Sequence, residues 1–102
     1  MKIISKLSDL IEEELNDADK YIRLALDTRE DNYALSATFY KLSLEEINHM
    51  KMLHEQVVAI INEYRKDNGD PPERMQAIYD YLHGKHINKA NEIMITQALY
   101  KG

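Results

Sequence analysis

The chain contains no cysteine and no tryptophan, and only 3 glycines and 2 prolines occur among its 102 residues. Without cysteine it forms no disulfide, zinc finger or cysteine-ligated iron–sulfur cluster, so any metal must be held by carboxylate and imidazole groups. An all-β domain needs a turn about every 8–12 residues, and the turn-forming residues are too few for that. The composition therefore predicts a single all-α domain over residues 1–102.

Long apolar runs and excess positive charge are also missing. No stretch approaches the roughly 18 apolar residues of a membrane-spanning helix, and the first residues begin an amphipathic pattern unlike that of a signal peptide. Acidic residues outnumber basic ones by 18 to 13, which gives a net charge of −5 and disfavours binding to a phosphate backbone. We therefore expect a cytoplasmic protein with neither a membrane nor a nucleic-acid partner.

Apolar residues recur at intervals of three and four along three segments, which indicates amphipathic helices. The predicted helices span about 3–27, 33–66 and 72–100. The polar residues 28–32 should form a tight turn in which Asp or Asn caps the second helix, and Gly69 should end that helix. The first two helices would then form an antiparallel hairpin. In the third helix the apolar pattern shifts at Gly84, which predicts a bend or break there.

Three polar residues interrupt the apolar stripes of the hairpin. Glu14 lies within the stripe of the first helix, and Glu46 and His49 lie within that of the second. With the turn centred on residue 30, Glu14 and Glu46 each lie 16 residues from it, and His49 follows Glu46 on the same face. A buried carboxylate must be paired or bound to a metal. The convergence of two carboxylates and one imidazole suits Fe, Mn or, less often, Zn.

Glu14 with Tyr21 seven residues later, followed by Glu-Ile-Asn-His at 46–49, resembles the first half of ferritin-like proteins, rubrerythrins especially. The resemblance covers roughly residues 3–62. It implies that Glu14 and His49 are terminal metal ligands, that Glu46 bridges two metal ions and that Tyr21 orients a ligand carboxylate. It also implies a di-iron protein that oxidises Fe(II) with dioxygen or removes peroxide.

The second half of the family motif is missing, because residues 63–102 contain no further Glu-x-x-His. One chain therefore has half a site, and two copies would together have four Glu and two His. We expect a homodimer, or a higher oligomer built from it, whose hairpins form a ferritin-like four-helix bundle flanked or embraced by the third helix. Small encapsulated ferritins are similar in this respect, but residues 95–102 lack their usual cargo peptide.

Other interpretations of the same residues stay open. Glu14, Glu46 and His49 also fit a polar cluster within a metal-free bundle. The chain would then be a small helical structural or interaction protein, of phage or other mobile-element origin, with a vestigial or absent metal site. A third hypothesis is a regulatory module that binds another protein through its third helix.

The third helix contains weaker candidates for a site. His83 and His86 form His-x-x-His and, with Asp80, are a candidate surface metal site, although solvated histidines are the commoner outcome. Glu92 lies level with Glu46 if the third helix folds straight back, which makes it a candidate extra ligand. His54 lies off the face of His49 and is expected to be exposed or paired with an acid.

Overall fold

The computed structural model describes residues 2–101 and consists of three α-helices joined by two short connections. The helices are α1 (Lys2–Thr28), α2 (Tyr33–Asn68) and α3 (Glu73–Lys101). No strand occurs within residues 2–101. The all-α prediction is confirmed, and the predicted helix bounds lie within about two residues of the observed ones.

Both ends of α2 are capped as the sequence predicts. The Asn32 side chain accepts a hydrogen bond from the backbone N–H of Leu35 at 3.1 Å, which satisfies a donor in the first turn. At the other end Gly69 adopts a φ of +77° and donates its N–H to the Arg65 carbonyl at 2.9 Å. A residue with a Cβ atom would be strained in this conformation, so glycine suits the end of the helix.

The hairpin of α1 and α2 is antiparallel and closely packed. The Ser43 hydroxyl donates to the Ala18 carbonyl, and the Ser36 hydroxyl donates to the Ala25 carbonyl, so the partners advance in opposite directions. All four residues are fully buried. Their small side chains let the two backbones approach, and the serine hydroxyls are satisfied within the hairpin.

The third helix runs parallel to α1 and antiparallel to α2. Lys85 contacts Glu12 near the middle of α1, and Arg29 at its end donates to the Tyr100 carbonyl. The helices therefore form an up–down–up bundle of 56 × 19 × 17 Å with a radius of gyration of 16.4 Å. This exceeds the about 13 Å of a compact globule of this length, because 36 residues of α2 alone extend for about 54 Å.

The predicted break at Gly84 is wrong, because α3 continues through this residue. Gly84 does not have a positive φ, and a Cβ atom built on it would meet nothing within 4 Å. Neither backbone conformation nor close packing therefore requires a glycine here. Glycine inside a helix costs only about 1 kcal/mol relative to alanine, which the flanking turns tolerate.

The core forms where the three helices meet. Its buried apolar residues are Ile11, Leu15, Ala18, Ile47, Met50, Val57, Ile61, Ala90 and Ile93. On α2 these residues lie beside the predicted stripe that includes Glu46 and His49. Apolar residues of that stripe, such as Leu35 and Phe39, are exposed or half-buried. Across residues 2–101, none of the helices combines the length and apolar character needed to cross a bilayer.

Candidate metal centre

Glu14, Glu46 and His49 meet midway along the hairpin. Each offers a ligand atom, and these atoms lie within 4.8 Å of one another. Nδ1 of His49 is 3.4 Å from Oε2 of Glu14 and 3.6 Å from Oε1 of Glu46. The antiparallel register brings the two carboxylates level, and the i, i+3 spacing on α2 adds the imidazole. The predicted convergence of the three side chains is confirmed, whereas their role as metal ligands stays a prediction.

The cluster is half-buried at its carboxylates and open at its imidazole. The exposed fraction of the side chain is 17% for Glu46, 25% for Glu14 and 50% for His49. Oε2 of Glu14 is inaccessible to water and has no hydrogen-bond partner among residues 2–101. Although Nδ1 of His49 lies nearby, the geometry of the pair is not that of a hydrogen bond. A buried carboxylate oxygen without a donor is costly and is uncommon in folded proteins.

The nearby Glu14 perturbs the ionisation of Glu46. A hydrogen bond shared with Glu14, followed by burial and the negative charge of Glu14, raises the pKa of Glu46 to about 7. The His49 imidazole acts in the opposite direction but does not offset these effects. Two carboxylates this close favour sharing one proton or binding a cation.

Glu12 is in a different environment, although it lies only two residues before Glu14. Its Oε1 is 3.2 Å from Nζ of Lys85 and 3.4 Å from Nε2 of His86. The hydrogen bond from Lys85 is the main reason that the pKa of Glu12 lies below its ordinary value. The charge of Glu12 is thus balanced by α3, whereas Glu14 and Glu46 have only a histidine beside them.

The chemistry of the three side chains is suitable for binding a metal ion. Two carboxylates and one imidazole form a hard, oxygen-rich set of the kind that Fe, Mn and Zn accept. A cation would partner the buried oxygen of Glu14 and relieve the repulsion that raises the pKa of Glu46. Three side chains do not complete the coordination of two metal ions. The half-exposed side of His49 leaves space for further ligands.

Tyr21 lies on the same side of the hairpin as the cluster. Its ring stacks on that of Phe39, with centroids 6.2 Å apart and an interplanar angle of 22°. Tyr21 follows Glu14 by seven residues and Phe39 precedes Glu46 by seven, so the aromatic pair lies two turns from the carboxylates towards the interhelical turn. That the Tyr21 hydroxyl orients a carboxylate stays a prediction.

The remaining histidines do not form the surface site suggested by His-x-x-His. His83 contacts His54, with Nε2 of His54 2.8 Å from Nδ1 of His83, and His86 is buried beside Glu12. Asp80 instead accepts a hydrogen bond from Gln76. The expectation that His54 is exposed or paired with an acid is wrong, because the antiparallel register of α2 and α3 places His83 opposite it. That register could have been calculated from the turn at Gly69.

Glu92 is not part of the cluster. The antiparallel course of α3 does place residues 92 and 93 near the level of Glu46 on α2, as Gln97 near Ser43 indicates. Ile93 is the buried residue at this level, whereas Glu92 is exposed at the groove between α1 and α3. The prediction therefore had the level of Glu92 along the bundle approximately right, but the side chain of Glu92 lies on a different face of α3 from the one that faces the hairpin core.

Comparisons with protein-family models, with characterised proteins and with solved structures yield no match to this chain. The interpretation of the cluster therefore depends on its geometry and donor chemistry.

Proposed function

We propose that the chain is a non-haem metal-binding protein in which Glu14, Glu46 and His49 hold iron, with Mn or Zn as alternative ions. The main support is that ligand atoms of two carboxylates and one imidazole lie within 4.8 Å of one another. In addition, the buried Oε2 of Glu14 has no hydrogen-bond donor among residues 2–101. A metal-free polar cluster would have to satisfy that oxygen with a proton shared between Glu14 and Glu46. A bound cation satisfies it and also favours the ionised form of Glu46.

The site is proposed to be completed by a second copy of the chain. Two copies have four carboxylates and two imidazoles, the donor set of di-iron and di-manganese helical bundles. The resemblance to ferritin-like proteins implies that in such a homodimer Glu46 would be shared between the two ions, while Glu14 and His49 would each hold one ion.

The surface around the cluster favours self-association. Leu10 precedes Glu14 by one turn, Leu42 precedes Glu46 by one turn, and Leu53 follows His49 by one turn. Leu10 is 43% exposed, and the other two leucines are only half-buried. Leu53 packs partly against the core of its own chain, but all three leucines remain accessible around the polar centre. Accessible apolar residues around a polar centre match the core of a four-helix bundle divided between two copies.

The third helix leaves this surface free. Glu12 and Asp19 on α1 contact Lys85 and Lys89 of α3. Glu14 is two residues from Glu12 and so points about 160° away around the helix. Hairpin association through the Glu14 side would therefore leave the packing of α3 intact, and α3 would flank the four-helix core.

When bound, two redox-active metal ions would supply the electron-transfer chemistry by which Fe(II) is oxidised with dioxygen or peroxide. The protein's part is to bind and orient. Glu46 would give up its proton on binding cations, and Glu14 would offer an oxygen that is shielded from water. The half-exposed His49 lies at the opening through which ions enter. We place this activity in the cytoplasm and assign it neither a nucleic-acid nor a membrane partner.

The direct test measures metal content and native mass together. Metal-free protein is titrated anaerobically with Fe(II), and bound iron and sedimentation mass are recorded at each step. The proposal expects two ions per dimer and a dimer that tightens as iron binds. A chain that stays monomeric with iron bound contradicts the shared site, and a chain that retains no Fe, Mn or Zn contradicts the metal function altogether.

A protein-binding role is the second candidate function, and the outer face of α3 favours it. Ile78 and Tyr81 are 52% and 69% exposed near one end of this face, and Ile95 and Leu99 are 63% and 69% exposed near the other. Their spacing places all four on one side of the helix. Absence of bound metal, together with capture of a partner by this face, would support the interaction protein over the metal protein.

A further inference from the structure

A second pair of potential ligands lies between α2 and α3, away from the carboxylate cluster. Nε2 of His54 is 2.8 Å from Nδ1 of His83, whereas the ring centroids are 4.7 Å apart. The nitrogens are closer together than the centroids, so the two rings, whose planes differ by 29°, approach each other through these nitrogen atoms. His54 follows His49 by five residues and points about 140° away from it around α2.

The pair is fixed by its neighbours yet reachable from solvent. The Tyr79 ring stacks on His83, with centroids 6.0 Å apart, and restrains the orientation of that imidazole. Both histidines are half-buried. Burial, followed by the nearby His83 and His86, lowers the pKa of His54, so His54 is neutral at pH 7. Neutral imidazole is the form that binds metal.

We propose that His54 and His83 form a bis-imidazole site for a borderline divalent cation, with Zn²⁺ as the representative ion. Tetrahedral zinc with Zn–N bonds of about 2.05 Å holds two nitrogens about 3.3 Å apart. The 2.8 Å contact is a hydrogen bond between the two imidazoles. Metal binding would displace the shared proton, widen the separation by about 0.5 Å and require both rings to turn so that their nitrogen lone pairs point at the ion. Nε2 of His54 and Nδ1 of His83 are the ligand atoms, and water completes the coordination on the exposed side.

Such a site would fasten the third helix to the hairpin. α3 packs chiefly along α1 and approaches α2 at fewer places, and His54–His83 is one of those places. An ion held from both helices binds the folded chain and not the unfolded one, so it stabilises the bundle. This inference is independent of the proposed iron site, because it uses different residues on a different face of α2.

The test uses the ring resonances of the chain's 4 histidines. Zn²⁺, which is diamagnetic, is titrated into the full-length protein while long-range ¹H–¹⁵N spectra record each ring nitrogen. The inference expects Nε2 of His54 and Nδ1 of His83 to shift together and saturate at one ion per chain. His49 reports separately on the carboxylate cluster, so failure at one site is distinguished from failure at the other.

Two variants complete the experiment. His54→Gln and His83→Gln should each weaken Zn²⁺ binding at this pair by about tenfold or more while leaving the His49 response unchanged. Far-UV circular dichroism establishes that each variant is folded. If His83 and His86 shift together without His54, the ion is held along α3 and the inference is overturned. It is equally overturned if neither His54 nor His83 responds.

Discussion

Glu12 and Glu14 lie two residues apart on α1 and contact different helices. Oε1 of Glu12 is 3.2 Å from Lys85 on α3, and Oε2 of Glu14 is 3.4 Å from His49 on α2. α1 therefore has two sides. The charge of Glu12 on one side is balanced by Lys85 of the same chain, whereas the charge on the Glu14 side has no such cation beside it among residues 2–101. The unbalanced side is where an ion or a second copy is expected.

The first prediction concerns the double variant Glu46→Gln, His49→Leu. If the cluster binds metal, the variant should bind none, and chelator should lower the unfolding midpoint of the wild type but not of the variant. Metal at 100 times its Kd adds about 2.7 kcal/mol to the stability of the folded state. Thermal unfolding of both proteins, each with and without chelator, measures the difference.

The same experiment tests the metal-free interpretation. In chelator the variant should be as stable as the wild type or more stable, by ~1–4 kcal/mol, because an amide and an apolar group replace polar groups that are costly to bury. If chelator changes neither protein, the three residues form a structural cluster and the metal function is rejected.

The hairpin and the meeting of Glu14 with Glu46 follow from the sequence because both depend on local rules. The polar turn and the cap at Asn32 fix where the chain reverses, and counting residues from the turn then sets the register. Counting from the turn at Gly69 places His83 opposite His54 in the same way that it places Glu92 level with Glu46.

The choice of buried face on α2 could not be obtained in this way. α2 has two adjacent apolar stripes, and the structure buries the one that includes Ser36 and Ser43. Serine appears polar in a hydropathy pattern, yet here each hydroxyl donates to a carbonyl of α1 and allows close packing. The other stripe, which includes Leu35 and Phe39, has the more apolar sequence pattern. It also contains Glu46 and His49 of the candidate metal centre.

The second prediction tests self-association with two leucines of equal exposure. Leu10, one turn from Glu14, is 43% exposed, and Leu44 is 42% exposed but lies about 160° around α2 from Glu46. Leu10→Gln removes an apolar contact from both copies, which should cost about 2 kcal/mol and weaken the dimer about 30-fold. Leu44→Gln should leave the dimer unchanged, as measured by sedimentation equilibrium. Equal effects of the two changes would exclude the Glu14 side as the interface.

The third prediction concerns the hydroxyl of Tyr21. Tyr21→Phe keeps the ring stacked on Phe39, so the fold should persist. If the hydroxyl orients a ligand carboxylate, the affinity for Fe(II) should fall by about tenfold. Tyr40→Phe is the matched control, since Tyr40 also stacks on an aromatic ring, that of Tyr100. Equal Fe(II) affinities in the two variants would assign Tyr21 to packing alone.

The fourth prediction concerns pH and the His54–His83 pair in chelator-treated protein. Burial and the neighbouring imidazoles lower the pKa of His54 below its ordinary value of 6.5, so the unfolded chain binds a proton there more readily than the folded chain. The stability contributed by neutral His54 is therefore complete above pH 6.5 and is lost as the pH falls through the folded pKa. The groups around it are His83, His86 and Glu55. Of these only Glu55 favours the charged form.

The variant His54→Gln isolates this effect from the carboxylates, which titrate in both proteins. Above pH 7 the two unfolding midpoints should differ by a constant amount. Below pH 6.5 the wild type should lose stability faster than the variant, because only the wild type must place a proton beside His83. Thermal unfolding between pH 8 and about pH 5 measures the difference. Parallel curves across this range would mean that the wild-type pair accepts a proton as readily in the fold as in the unfolded chain, which contradicts the environment of His54 described above.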